Sequence, residues 1–114
     1  MTINEYQQLA QRTANTKASS SKIENGILGL CGETGEIADV YKKYLYQEHE
    51  LDFERMAEEL GDVCWYVAEL AAGMGLKLED VMARNIAKLR KRYPDGFDAE
   101  RSMHREECEN GSQD

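Results

Sequence analysis

The chain has 114 residues, enough for one domain with a modest core. Hydrophobic residues at 41% and charged residues at 32% are the proportions of a globular protein rather than a disordered one. The formal net charge of -8 argues against general binding to nucleic-acid phosphates and is compatible with cation binding.

The sequence has no apolar run of about 18 residues, so it predicts no membrane span. The polar opening MTINEYQQLAQRT lacks the basic and apolar segments of a secretory signal, and the expected location is cytoplasmic. Cys31, Cys64 and Cys108 are far apart and show no C-x-x-C spacing. They make neither a disulfide framework nor a zinc site, and Cys31 and Cys64 read as small core residues in apolar surroundings.

No strand-like alternation appears, and the pattern predicts four helices. The first covers residues 3–13, opened by Thr2 and Glu5 at capping-box spacing. A polar loop, NTKASSSK, follows. The second helix covers residues 22–46, with Ile23, Ile27, Leu30, Ile37, Tyr41 and Leu45 on one face. Gly26, Gly29, Gly32 and Gly35 interrupt it, and each costs a helix roughly 1 kcal/mol relative to alanine. Such a set implies close backbone approach to a helix or a ligand, and it puts the continuity of the helix in question.

QEHELD is the next connection, with Asp52 as N-cap. The third helix covers residues 53–74, with a stripe of Phe53, Met56, Leu60, Val63, Val67, Leu70 and Met74. Trp65 projects nearly opposite that stripe, suited to packing in an oligomer. From Val63 to Met74 only Glu69 is charged, so the helix is apolar almost all round. A second buried side most simply faces another subunit.

The fourth helix covers residues 78–93 and stops before Pro94. From Lys77 to Tyr93 it carries six basic and two acidic residues. Asn85 falls inside its apolar stripe of Leu78, Val81, Met82, Ile86 and Leu89, where a buried asparagine needs hydrogen-bond partners. Lys88 and Arg92 share its side, and an amide, an ammonium and a guanidinium together suit polyphosphate oxygens. Cations near a helix C-terminus also complement its dipole, which accounts for Arg90, Lys91 and in part Arg92, but not Asn85. Residues 1–100 read as one domain and 101–114 as an acidic, flexible tail.

The acidic residues carry the chemistry. Glu33 and Glu36 are three apart on the second helix, and Glu59 and Asp62 repeat that spacing on the third. All four lie at the borders of the apolar stripes, so antiparallel packing lets the pairs converge. Clustered carboxylates repel, and a hard divalent cation such as Mg²⁺ or Mn²⁺ relieves that cost. Any one such pair is an ordinary solvated surface feature; two pairs on successive helices point to a metal. Asp39 and Glu58 are neighbours of these pairs, read as solvated or as spare ligands.

The segments GLCGETGEIADVYKK, EELGDVCWYV and RNIAKLRKRYPDGF resemble those of MazG-like nucleoside triphosphate pyrophosphohydrolases, in the all-α NTP pyrophosphatase superfamily. The resemblance covers roughly residues 23–97. The family motif is E-E-x-x-E, a spacer, then E-x-x-D. Glu33, Glu36, Glu59 and Asp62 match it, whereas Gly32 stands where the first acid would be and leaves the number of metal ions open. The family's N-x-x-K element is matched by Asn85 and Lys88, followed by Arg92 and Tyr93, which in relatives hold phosphates and sugar. Tyr66 matches a position that touches the nucleoside in some relatives.

The resemblance implies an all-α, four-helix bundle-like fold and a homodimer or homotetramer. It also implies Mg²⁺-dependent (or Mn²⁺-dependent) hydrolysis of a nucleoside triphosphate to monophosphate and pyrophosphate. In that reading Glu33, Glu36, Glu59 and Asp62 hold metal, with Glu36 and Glu59 as the catalytic carboxylates. The alternative is a non-catalytic helical module that binds metal and nucleotide as a sensor or partner.

Overall fold

The computed structural model describes residues 1–16 and 21–105. Part of the first loop, Cys108 and the tail beyond residue 105 lie outside the described residues. The chain is all-α: helices α1 (Ile3–Gln11), α2 (Lys22–Tyr46), α3 (Phe53–Gly73), α4 (Leu78–Arg92) and α5 (Ala99–Met103). Among the described residues there is no β-strand, only a bridge between Pro94 and Gly96. It forms two compact units, Met1–Leu78 and Glu79–Asp114.

The caps follow the sequence. The Thr2 hydroxyl accepts from the Glu5 N–H at 3.1 Å, and Glu5 returns a carboxylate to the Thr2 N–H at 3.3 Å. Ser21 caps α2 by accepting from the Ile23 N–H at 2.9 Å, and Asp52 caps α3 by accepting from the Arg55 N–H at 3.0 Å. Each cap satisfies a donor that the first turn of a helix leaves without a partner. α5 is not among the four helices that the sequence predicts, and it crosses the expected domain end at residue 100. Asp98 starts it by accepting from the Arg101 N–H at 3.1 Å.

In the first unit, α3 packs against both α2 and α1. α2 runs unbroken through its glycines because two of them are contact points. A Cβ on Gly26 would stand 2.7 Å from the Leu70 Cβ and 2.9 Å from its Cα, and one on Gly29 would stand 2.2 Å from the Tyr66 ring. Gly73 gives the same clearance to the start of α2, where a Cβ would meet the Ile23 nitrogen at 2.9 Å. Gly32 and Gly35 differ: a Cβ on either would meet nothing within 4 Å.

Polar groups fasten the other joints. The Glu69 carboxylate is 2% exposed; it accepts from Asn25 Nδ2 at 2.9 Å and faces the Lys22 ammonium at 3.7 Å. Lys22 also donates to Gln11 Oε1, so one buried charge ties α1, α2 and α3 together. Gln7 donates to the Leu76 carbonyl at 3.1 Å and accepts from the Leu78 N–H at 2.9 Å, on either side of Lys77.

Two sequence expectations change here. Trp65 turns to α1 of its own chain, donating its indole N–H to the Ala10 carbonyl at 3.0 Å and to Thr13 Oγ1 at 2.8 Å. α1 therefore covers part of the second side of α3. Cys31 and Cys64 are exposed rather than core. The α2–α3 seam is filled from Gly26, Gly29, Tyr66 and Leu70, which leaves both thiols on other faces.

In the second unit, Asn85 and Lys88 are exposed. Asn85 is not the buried amide the apolar stripe implies, because the stripe itself is open: Met82 and Ile86 are 41% and 46% exposed. Around the end of α4, the Tyr93 and Phe97 rings are 5.5 Å apart, and the Arg92 guanidinium carbon lies 6.0 Å from the Tyr93 ring centre. Arg101 of α5 donates to the Arg92 carbonyl at 3.4 Å.

The seam makes opposite forecasts for glycines of one helix. Gly26→Ala should destabilise the fold by about 1–3 kcal/mol through overpacking against the Leu70 backbone. Gly35→Ala should stabilise it by about 0.5–1 kcal/mol through helix propensity alone. Denaturant melts of the two variants beside wild type check both signs.

Candidate metal centre

The register set by Gly26 and Gly29 places Glu33 of α2 opposite the Glu59/Asp62 pair of α3. One carboxylate oxygen from each of Glu33, Glu59 and Asp62 comes within 4.8 Å of the other two. Glu33 and Glu59 are half-buried and Asp62 is exposed. Oxygen donors so arranged, on two helices fixed by packing, suit a hard divalent cation.

The electrostatics show how crowded these carboxylates are. The Glu33 carboxyl is pushed up from 4.5 to about 7. A hydrogen bond shared with Glu59 is the largest cause, followed by desolvation and the negative charges of Glu59, Asp62 and Glu36. Without a cation, Glu33 holds its proton up to near neutral pH.

Glu36, expected as a fourth member, lies outside the close group. It is exposed and faces Arg55 Nη2 at 3.8 Å, while Arg55 Nε faces Glu59 Oε1 at 3.6 Å. Sequence reasoning passed over Arg55. The available signal was a cation in the first turn of α3, four residues before Glu59, where the helix dipole disfavours positive charge. Asp39 pairs instead with lysines of its own helix, Lys43 at 2.9 Å and Lys42 at 3.7 Å, and the bond to Lys43 holds its carboxyl below the usual range. A cavity of about 320 Å³ opens beside Arg55, bordered by Asp39, Lys43, His49 and Asp52.

Two aromatic residues flank the acids. Tyr66 lies in the seam on Gly29, edge-on to Trp65 at 5.0 Å. Tyr6 of α1 has its phenol pushed up by burial and by the charges of Cys64 and Asp62. Of the residues that the sequence assigns to phosphate and sugar, Asn85 and Lys88 are exposed on α4, Tyr93 is half-buried and Arg92 is 9% exposed.

The model of the MazG nucleotide pyrophosphohydrolase domain matches residues 21–97. The chain is also similar to the Gene 37 protein of Mycobacterium phage L5, with 43% identity over 76 residues. That match covers 60% of this chain and 64% of the phage protein, less than two thirds of the relative's length. No solved structure matches the chain with significance. The matched span holds both acidic pairs and the N-x-x-K element. With well over half of its length matched, the chain belongs to the MazG nucleotide pyrophosphohydrolase domain family.

Proposed function

We propose that the protein hydrolyses a nucleoside triphosphate, deoxy or noncanonical, to the monophosphate and pyrophosphate. The observation that carries this reading is the convergence of Glu33, Glu59 and Asp62 from two helices within a MazG domain. These three carboxylates would hold Mg²⁺ or Mn²⁺. A cation there supplies positive charge against the charge that develops on the phosphates, and makes water a better nucleophile. Glu36 is the nearby carboxylate outside the close group, and it takes the proton from the attacking water. The water oxygen joins one phosphorus of the α–β anhydride, and the bridging oxygen leaves with the other. Asn85, Lys88, Arg92 and Tyr93 of the family's second element bind the phosphates and sugar, with Tyr66 at the nucleoside. The location is the cytoplasm, among the nucleotides; no described helix is long and apolar enough to cross a membrane.

Anion analysis of products from a panel of triphosphates with Mg²⁺ tests the reaction. Monophosphate plus pyrophosphate is expected, and diphosphate plus orthophosphate would refute it. Glu59→Gln should reduce turnover at least about 100-fold. If wild type binds metal and nucleotide but turns nothing over, the sensor reading takes its place.

The raised Glu33 carboxyl gives metal binding a defined pH dependence. Metal must displace the proton on Glu33, so affinity should fall by up to about tenfold per pH unit below about 7. It should level off above that pH. The metal-free folded chain binds more protons than the unfolded chain between about 4.5 and about 7, so its stability should fall as pH rises through that window. Titrations of Mn²⁺ at several pH values, with Glu33→Gln as the variant that loses the slope, check the sign.

The protein functions as a homodimer or homotetramer in this reading. No large side chain of one chain is fully buried among the described residues, while Leu28 is 72% exposed, Leu45 51% and Leu60 57%. In that reading a second copy covers these apolar side chains. Light scattering should give at least the dimer mass at micromolar concentration, and a monomer there would contradict the assignment.

A further inference from the structure

We infer that Arg55 is a resident counter-cation of the metal centre, competing with the bare metal ion for Glu59. The inference rests on the metal-centre reading above. Its guanidinium spans the two helices, facing Glu36 of α2 at 3.8 Å and Glu59 of α3 at 3.6 Å. Glu59 is also a member of the close group with Glu33 and Asp62. One carboxylate is thus shared between a side-chain cation and the place a metal ion would take.

Three features separate this arrangement from an ordinary surface ion pair. Arg55 stands in the first turn of α3, where the helix dipole penalises a positive charge, so its position serves the acids rather than the helix. An arginine placed four residues before a glutamate is the weaker order for an i,i+4 pair, so the helix alone gives little reason for the contact with Glu59. The partners are unequal: the Glu59 side chain is 13% exposed and that of Glu36 53%, so a partly desolvated carboxylate receives the charge.

The contact is also built to yield. Separations of 3.6 and 3.8 Å are longer than hydrogen bonds, so the guanidinium attracts both carboxylates without locking either. Arg55 is 57% exposed and borders the 320 Å³ cavity, which gives the side chain a place to go when a doubly charged ion arrives. Its backbone N–H stays with the Asp52 cap throughout, so the helix start does not move with the side chain.

The test is the affinity of the full chain for Mn²⁺ alone, without nucleotide, read by electron paramagnetic resonance. Arg55→Gln removes the charge and keeps the cap; it should bind Mn²⁺ about fivefold more tightly than wild type, the scale of one half-exposed ion pair. Lys42→Gln removes a charge of the same sign that serves Asp39, and should leave the affinity unchanged. Unchanged or weaker binding by Arg55→Gln, or equal tightening by Lys42→Gln, would overturn the inference while leaving the metal centre intact. Absence of Mn²⁺ binding by wild type would instead remove the metal-centre reading itself.

Discussion

The closeness of α2 and α3 at Gly26 and Gly29 is the constraint from which the site follows. With the Leu70 backbone and the Tyr66 ring lying where a Cβ would be, the two helices cannot slide past one another without a clash. A slip of one turn along α3 would carry Glu59 and Asp62 about 5.4 Å away from Glu33. That distance exceeds the 4.8 Å that the three carboxylates share. Two residues with no side chain thus fix where three charged ones meet.

Repulsion is the cost of that meeting, and two features relieve it. The Glu33 carboxyl, pushed up by its hydrogen bond to Glu59, holds its proton up to near neutral pH, and a guanidinium faces Glu59 and Glu36. Both are local, and neither consumes the apolar packing that holds the helices. The Glu69 carboxylate on the same helix is handled differently. It is deeply buried and receives Asn25 and Lys22, as a charge removed from water must. One helix therefore carries a buried acid that joins the helices and, nearer its start, the pair of acids of the candidate metal centre.

Much of this was legible in the sequence, because it rests on periodicity and capping. The bounds of α2, the Thr2/Glu5 box and the Asp52 cap follow from local rules, and the i,i+3 acids follow from helix geometry. What was not legible depends on which faces meet. Trp65, Cys31 and Cys64 were misplaced because a helical wheel shows sides but not neighbours: α1 and the turn after it supply the carbonyl and hydroxyl that receive the indole. Glu36 looked equivalent to Glu33 by spacing, but in the structure it faces Arg55 while Glu33 meets the acids of the other helix. Asn85 looked buried because apolar neighbours in sequence were taken to be covered in space.

Gln7 carries a consequence for the order of assembly. Its side-chain amide donates to one backbone carbonyl and accepts from a backbone N–H two residues on, so it imitates a peptide unit of a neighbouring strand. Its two partners, Leu76 and Leu78, are correctly spaced only after α3 has ended, with Gly75 in its left-handed conformation at φ 71°. α1 therefore has nothing to recognise at that end until the chain some seventy residues later has turned. The α2–α3 contacts close shorter loops than those of the opening helix, which lies on the finished turn as a latch.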